Sequence, residues 1–344
     1  MDVTPRPLGS APVSVGPLGL GCWPLAGMTR GGVTPAAAVA TVRAAVETGI
    51  THLDTAYCYG EHGESERAIR AALAGIGPTA RETVVIAGKC GIHWEADASR
   101  DPPRRQAVDG RPERIRAEVE ESLARLGTDR LDLLYLHAPD PAVPIEDPAG
   151  ELRRLLEAGK ARAIGLSNAR LEDLERFAAE CPLAACQMHF NMLQRDIERE
   201  ILPWCVSRGV AMVIYWPLMK GLLAGRMRRG QVFPTSDSRH KYPMFQGEEF
   251  ARNLDFVDAL KGIARGLAAR TGRPADSGSV TVADLVLAWT AEQPGITSVL
   301  FGATSPEQVA ENARAIRCDL DDEARRQIQA AILARGPVAG RRAV

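Results

Sequence analysis

Short apolar runs alternate with longer amphipathic runs along most of the chain. The apolar runs are rich in Val, Ile and Leu and have no polar face, which is typical of strands buried on both sides of a parallel sheet. Eight strands are predicted in this way, at residues 17–21, 50–54, 83–89, 131–137, 162–167, 184–188, 210–215 and 298–301.

Helices are predicted between these strands, where apolar residues recur at steps of three and four positions. The clearest series are Val39, Val42 and Val46; Ile115, Val119, Leu123 and Leu126; Ile197, Ile201 and Cys205; and Val282, Leu285, Val286 and Trp289. Two start signals agree with these series. Thr34 precedes a first-turn proline, and Ser305-Pro306-Glu307-Gln308 fits a capping box.

Eight strands separated by helices predict an α/β fold, a (β/α)8 TIM barrel in a single domain. We expect the barrel to span residues 12–335, between loose tails at 1–11 and 336–344. The rival is a doubly wound open sheet, which usually carries G-x-G-x-x-G after its first strand. Here Gly19-Leu-Gly21 continues as Cys-Trp-Pro24, so the third glycine is missing.

Two segments interrupt the alternation, at residues 91–110 and 217–250. Each follows the C-terminal end of a predicted strand. Because barrel enzymes form their pockets from the loops at this end, we expect both segments to border a site.

The composition excludes several classes of protein. Lys and Arg number 42 against 43 Asp and Glu, so no basic surface for nucleic acid or an anionic membrane is expected. The chain shows no signal-peptide pattern and no apolar run of membrane-spanning length. Seven cysteines without a CxxC pair indicate free thiols in a reducing compartment, so we expect a cytoplasmic protein. Cys186 and His189 lack metal-ligand spacing, and no metal site is expected.

Polar residues stand where the predicted strands end. Asp54, Lys89 and His137 end the second, third and fourth strands, and Ser167-Asn168, Gln187 and Tyr215 occupy the later ones. In a barrel, such positions are typical of catalytic residues. The alternative is that Asp54, Ser167 or Asn168 only cap the following helices.

Lys89 is the most unusual of these residues, because the chain has only five lysines and this one follows an apolar run. A buried lysine is costly unless it is paired. An ammonium about 4 Å from a phenol favours phenolate by about 4 kcal/mol, or about three pKa units, at an effective dielectric of 20. Desolvation opposes this shift, and we expect a tyrosine pKa between about 7 and 10. Such a tyrosine exchanges a proton with a carbonyl or alcohol, and the hydride must come from a nicotinamide.

These residues lie in motifs that follow one another over about residues 12–320. The motifs are Gly19-Leu-Gly21, Asp54-Thr-Ala-Tyr-Cys-Tyr59-Gly60, Gly63-Glu-Ser65-Glu66, Lys89, Leu136-His137-Ala-Pro139-Asp140, Gly159 to Asn168, Gln187 to Asn191, Tyr215 to Gly221, and Gly302 to Asn312. Together they resemble the aldo-keto reductase family. The resemblance implies a (β/α)8 barrel and reversible, NADPH-dependent reduction of an aldehyde, ketone or sugar carbonyl.

The resemblance also implies roles for individual residues. Tyr59 resembles the general acid, with Asp54, Lys89 and His137 as its partners, and the Asp-x4-Tyr spacing favours Tyr59 over Tyr57. The residues that resemble the cofactor site are Ser167, Asn168 and Gln187 at the nicotinamide carboxamide, Tyr215 stacked on its ring, Pro217, Leu218 and Gly221 beyond it, and Gly302, Thr304, Ser305, Gln308, Glu311 and Asn312 at the adenosine end.

The chain departs from the family pattern at residues 303–308, where many relatives have an Arg or Lys for the 2′-phosphate. Arg226, or an arginine of 228–239, is the expected substitute; NADP is predicted, with NAD as the alternative. Trp23, Trp94 and Trp216 are predicted to line the substrate pocket, or else to pack structurally.

Two other functions compete with the reductase. One is a nicotinamide-binding regulatory subunit that senses redox state, and the other is a Schiff-base aldolase that uses Lys89. The expected partner of the reductase is a small-molecule carbonyl substrate. Nothing in the pattern specifies an oligomeric state.

Overall fold

The computed structural model describes residues 3–29, 31–76, 78–99, 103–235, 237–271, 280–336 and 338. The strands in these residues are β1 (Arg6–Pro7), β2 (Ser14–Val15), β3 (Leu18–Gly21), β4 (His52–Asp54), β5 (Val85–Cys90), β6 (Ile92–Ala96), β7 (Arg104–Val108), β8 (Leu133–Leu136), β9 (Ile164–Ser167), β10 (Ala185–His189), β11 (Ala211–Tyr215) and β12 (Ile296–Gly302).

The α-helices lie mainly between the strands. They are α1 (Pro35–Glu47), α2 (Glu64–Ala74), α3 (Pro78–Thr83), α4 (Pro112–Leu126), α5 (Glu146–Glu157), α6 (Leu171–Glu180), α7 (Ile201–Arg208), α8 (Gly247–Arg270), α9 (Val282–Ala291), α10 (Pro306–Ala313) and α11 (Asp322–Arg335). No helix in the described part of the chain is long and apolar enough to cross a membrane.

Eight of the strands form a closed parallel barrel in the order β10-β11-β12-β3-β4-β5-β8-β9. Each of the eight predicted strands overlaps one of them, and the predicted barrel is confirmed. The closure places β4 and β10 four strands apart, on opposite sides of the ring. Their inward-facing side chains can therefore meet across the interior.

The interior of the barrel holds mostly small and branched side chains, with one large exception. Ala87, Leu133, Val213 and Leu300 pack there around Tyr135, which is fully buried. A Cβ at position 165 on the neighbouring strand would overlap the Tyr135 ring. Gly165 is therefore required because it leaves room for this ring.

A short antiparallel hairpin of β1 and β2 packs against the same interior cluster. Leu8 at its turn is fully buried, and its N–H donates to the carbonyl of Val13 at 2.9 Å. The hairpin therefore differs from the loose tail expected at residues 1–11, because Leu8, Val13 and Val15 are buried against the interior of the barrel. Of the expected tail at 336–344, only Gly336 and Val338 lie within the described residues.

Helices α1 and α10 begin where the sequence predicts, but the capping box predicted for α10 has a different partner. The Thr34 hydroxyl accepts from Ala37 N at 3.2 Å at the start of α1, and the Ser305 hydroxyl accepts from Gln308 N at 3.4 Å at the start of α10. The predicted capping box is not formed as expected. The Gln308 side chain instead accepts from Thr304 N at 3.0 Å, one residue before the cap.

The two interrupting segments lie at the C-terminal ends of barrel strands, as predicted. Residues 91–110 contain the antiparallel hairpin of β6 and β7. Residues 217–250 contain short 3-10 segments at 219–224, 238–241 and 243–245, followed by the start of α8.

Candidate active site

Lys89 lies at the centre of a buried polar cluster at the C-terminal end of β5. Its Nζ donates to the Asp54 carboxylate, to the carbonyl of Thr55 at 2.8 Å and to Tyr59 Oη at 3.2 Å. Three acceptors match the three N–H groups of an ammonium. The lysine is thus fully partnered, which removes most of the cost of burying its charge.

Asp54 is held from the opposite side of the barrel. Gln187 Nε2 on β10 donates to Asp54 Oδ2 at 2.7 Å, and Ser167 Oγ donates to the Gln187 carbonyl at 3.0 Å. All three side chains are buried. Gln187 therefore contacts the carboxylate of Asp54 in this structure. Its role at the nicotinamide carboxamide, which the resemblance implies, stays a prediction.

Tyr59 lies in the turn that follows β4, with aromatic rings on two sides. The Trp23 ring is 5.1 Å away edge-on, the His137 ring is 5.8 Å away, and Lys89 Nζ is 4.8 Å from the phenol centroid. Burial raises the pKa of Tyr59 well above its ordinary value, and the Asp54 carboxylate raises it further. The expected pKa between 7 and 10 is thus wrong for this structure, because desolvation outweighs the nearby ammonium. The phenol keeps its proton at neutral pH.

His137 follows β8 and is neutral. Burial, and next the Lys89 charge, lower the pKa of His137 well below its ordinary value. Its Nδ1 lies 3.5 Å from Cys58 Sγ, and burial raises the pKa of that thiol, which keeps its proton. The neutral imidazole of His137 carries a single N–H, and its tautomer decides which atom of this pair is the donor.

Asn168 and Tyr215 form a second pair beside this cluster. The Tyr215 hydroxyl donates to Asn168 Oδ1 at 2.6 Å, and Asn168 Nδ2 donates to the His137 carbonyl at 3.0 Å. Asn168 has a φ of 57°, a left-handed conformation that asparagine tolerates better than most residues. The pair fixes a half-buried aromatic ring next to the cluster.

Two of the predicted pocket tryptophans lie beside Tyr59 and one does not. Trp23 and Trp94 are half-buried and pack against the small cluster that contains Tyr59. Trp94 Nε1 also donates to the Cys58 carbonyl at 3.0 Å. Trp216 packs instead against Tyr215 and Tyr242, with ring centroids 6.0 and 5.6 Å away.

Tyr57, the alternative acid, is directed away from the cluster. Its hydroxyl donates to Glu121 Oε2 on α4 at 2.8 Å, and the Arg125 guanidinium lies 4.4 Å from its ring centroid. Of these two phenols, the structure therefore brings only that of Tyr59 into contact with the Lys89 ammonium.

The residues predicted for the adenosine end lie around the start of α10. Besides the Thr304, Ser305 and Gln308 contacts, Asn312 Nδ2 donates to the Gly302 carbonyl at 3.4 Å. Glu311 forms an ion pair with Arg226, which joins this helix to the segment that follows β11. Arg226 is thus engaged by a carboxylate in this structure.

Lys220 is a residue that the sequence analysis missed. It follows Pro217 and Leu218 in the segment after β11, and its Nζ lies 4.5 Å from the Trp216 ring centroid and 5.0 Å from that of Tyr242. Burial lowers the pKa of Lys220 to about 8. The rarity of lysine, which singled out Lys89, was the signal that could have found it.

The potential metal and thiol ligands do not cluster. In the residues that the structure describes, no three His, Cys, Asp or Glu side chains are placed to hold a metal ion. All seven cysteines lie in the described residues, where they are buried and form no disulfide.

The chain is similar to known proteins over nearly its whole length. Residues 17–333 match the model of the Aldo/keto reductase family. Among curated proteins, the aldo-keto reductase YhdN of Bacillus subtilis is 36% identical over 292 residues, which are 85% of this chain and 82% of that protein. The NADH-specific methylglyoxal reductase of Escherichia coli is 33% identical over 324 residues, 92% of this chain and 94% of that protein.

A solved structure supports the same relationship. The glycerol dehydrogenase AKR11B4 from Gluconobacter oxydans matches with a TM-score of 0.84 and 32% sequence identity, and the match covers 97% of this chain and 96% of that one.

Proposed function

The chain belongs to the aldo/keto reductase family of NAD(P)H-dependent oxidoreductases acting on carbonyl and alcohol groups, and from this premise we propose that it reduces an aldehyde, ketone or sugar carbonyl with Tyr59 as proton donor. The observation that carries this proposal is the hydrogen bond from Lys89 Nζ to Tyr59 Oη, at 3.2 Å. It links a protonated phenol to a buried ammonium at the C-terminal end of a barrel.

Proton donation by Tyr59 follows from the charges around it. The phenol gives its proton to the carbonyl oxygen as that oxygen becomes negative. The phenolate that remains is stabilised by the ammonium of Lys89, whose position is fixed by Asp54 and Gln187. We propose the neutral ring of His137, as its Nε2–H tautomer, as a second donor for the same substrate oxygen.

The residues at the barrel mouth fit a nicotinamide dinucleotide. A half-buried Tyr215 ring offers a flat face, Asn168 places an amide beside it, and the capped N-terminus of α10 favours a phosphate. When bound, the nicotinamide supplies the hydride. Asn168, Tyr215 and the α10 residues Gln308, Glu311 and Asn312 would hold it, and the buried tyrosine cluster would exclude water from the reacting atoms.

The choice between NADPH and NADH would depend on Arg226. We propose NADPH with Arg226 as the partner of its 2′-phosphate, in place of a cation at 303–308. NADH is the second candidate, because Glu311 already engages Arg226 and because the E. coli relative is named NADH-specific. Glu311→Gln should raise the ratio of kcat/KM for NADPH over NADH, since it frees the guanidinium. An unchanged ratio would rule out this role for Arg226.

The names of the relatives suggest the first substrates to measure. One relative is a methylglyoxal reductase and one structural neighbour is a glycerol dehydrogenase. We therefore propose a small polar carbonyl compound as substrate. A screen of methylglyoxal, other short aldehydes and ketones, and sugars, with both cofactors, would test this.

Tyr59→Phe tests the proton donor. Turnover should fall by about 10²- to 10⁴-fold, which is the usual contribution of general acid catalysis, while the Kd for the cofactor stays unchanged. Tyr57→Phe is the matched control, because it removes a phenol of the same turn that contacts α4 instead of Lys89. Full turnover by the Tyr59 variant would disprove the assignment.

The two competing functions make different predictions. A Schiff-base aldolase needs a free amine, whereas all three N–H groups of Lys89 have acceptors. A regulatory subunit would bind cofactor tightly with negligible turnover across the whole substrate screen. Borohydride trapping of a carbonyl compound on Lys89 would support the aldolase.

A further inference from the structure

The hairpin of β6 and β7 contacts the turn that carries Tyr59 through a single backbone atom. The carbonyl oxygen of Cys58 accepts a hydrogen bond from Trp94 Nε1 on β6 and another from Gln106 Nε2 on β7, each at 3.0 Å. Trp94 and Gln106 are paired directly across the two strands. Because a carbonyl oxygen has two lone pairs, the two side chains of the hairpin satisfy this buried acceptor completely.

This hairpin is attached to the barrel at its base. Asp109 N donates to the Gly91 carbonyl at 3.0 Å, which joins the two ends of the segment. Gly91 N donates at 2.7 Å to the carboxylate of Glu118, a buried residue of α4. The two side chains that bind the Cys58 carbonyl therefore extend from an anchored base.

The hairpin has a second contact with the same turn, on the other side of Tyr59. Arg104 on β7 forms an ion pair with Glu61, two residues after the phenol. Both of these charged side chains are partly exposed, so we expect the pair to contribute less than the buried contact at Cys58. The carbonyl of Cys58 is thus the main point at which the hairpin holds the turn.

Cys58 adjoins both side chains that are proposed as proton donors. It is bonded directly to Tyr59, whose N–H donates to the Ala56 carbonyl at 3.0 Å, and its thiol lies 3.5 Å from His137 Nδ1. A shift of Cys58 would therefore move both donors. Such a shift is costly for catalysis, because a misplacement of about 1 Å can slow a reaction by about 10²-fold.

We propose that Gln106 is a positioning residue that acts, together with Trp94, through the Cys58 carbonyl. The two hydrogen bonds hold the turn where the Tyr59 phenol and the His137 ring reach the substrate oxygen. This inference rests on the proposed function and adds to it a residue outside the Lys89 cluster. Gln106 fixes the geometry of the donors and transfers no proton itself.

Two substitutions of Gln106 test the proposal. Gln106→Leu removes the amide donor but leaves the hydrogen bond from Trp94, so we expect the protein to fold. Gln106→Glu keeps the shape of the side chain but replaces the donating nitrogen by a carboxylate oxygen, which the carbonyl repels. Arg105→Leu is the matched control, because Arg105 is the preceding residue of the same strand and pairs with Glu95 within the hairpin.

Both Gln106 variants should lower kcat by about 5- to 50-fold, while the Kd for NADPH stays within about twofold of the wild type. The kcat of Arg105→Leu should also stay within about twofold. A side chain that only packs would leave Gln106→Glu fully active, because Glu has the shape of Gln. Wild-type kcat in both Gln106 variants, when Tyr59→Phe has lost turnover, would overturn the proposal.

Amide hydrogen exchange reports on the turn without any turnover. In Gln106→Leu, the Tyr59 N–H that donates to Ala56 should exchange about 5- to 10-fold faster than in the wild type, read by mass spectrometry of a peptide covering residues 56–60. Faster exchange confined to residues 91–110 would overturn the proposal, since Gln106 would then stabilise only its own hairpin. Faster exchange in the turn, combined with full turnover by Tyr59→Phe, would support the positioning contact and disprove the proposed function instead.

Discussion

Lys89 and Lys220 are a buried and a half-buried lysine at the same end of one barrel, and their surroundings differ. Lys89 lies on a strand and satisfies all three N–H groups with Asp54, Thr55 and Tyr59. Lys220 lies on a segment with left-handed backbone and has its Nζ over the Trp216 and Tyr242 rings. All three N–H groups of the first cation are therefore satisfied within the protein, whereas the second is held by ring faces.

The difference has a physical basis in how each cation is compensated. A carboxylate inside the barrel compensates Lys89 directly and fixes it beside the phenol. Aromatic faces compensate a cation by only about 0.5–2 kcal/mol.

Removing the ammonium of Lys89 should cause the greatest loss of stability and turnover. Lys89→Met leaves the Asp54 carboxylate buried with Gln187 as its remaining side-chain donor, and should lower the free energy of unfolding by about 3–5 kcal/mol. Turnover should fall by at least about 10²-fold, since the phenolate loses its ammonium. Denaturant titration and steady-state kinetics measure the two losses.

The double variant Lys89→Met with Asp54→Asn is the control for the single variant Lys89→Met. It removes both charges, so most of the stability should return, while turnover should stay low. Lys220→Met completes the comparison, because removing an unpaired cation should not lower the free energy of unfolding. A Lys220 variant as unstable as the Lys89 variant would contradict the difference between the two lysines.

The barrel and the Lys89 cluster were largely predictable from the sequence. Buried parallel strands have continuous apolar runs, and the rule that sites lie at the C-terminal ends of barrel strands placed Asp54, Lys89 and His137 together. The N-terminal hairpin was not predictable, because two-residue strands give no alternation and Leu8 is a single apolar residue next to a proline.

Other features depend on closure of the barrel and on burial. Gln187 donates to Asp54 because β10 lies opposite β4 in the closed barrel. Local sequence patterns do not tell which strands face each other across the barrel, so this contact was not predicted. The pKa of Tyr59 is set by competition between desolvation and charge, whose balance is known only when the surroundings are known. Lys220 depends on left-handed backbone that nothing in its residue types predicts.

The free energy of unfolding should depend on pH through Lys220. Burial holds the pKa of Lys220 at about 8, below its ordinary value of 10.5, with Asp237, Arg239, Lys241 and Tyr242 facing it. Between pH 8 and 10.5 the unfolded state therefore binds more protons than the native state. The free energy of unfolding should rise with pH across this window in the wild type relative to Lys220→Met. Denaturant titrations at pH 7.5, 9 and 10 would show a constant difference if this lysine were not buried.

The weakest change is expected for the Asn168–Tyr215 pair at the mouth of the barrel. Tyr215→Phe keeps the aromatic face and removes only the hydroxyl that donates to Asn168 Oδ1 at 2.6 Å. A single hydrogen bond of this kind contributes about 1 kcal/mol, so the Kd for the cofactor should rise by about fivefold with little change in kcat. Tyr215→Leu, which also removes the ring face, should weaken binding clearly more. If both variants bound cofactor equally well, the Tyr215 ring would not be a stacking surface for the cofactor.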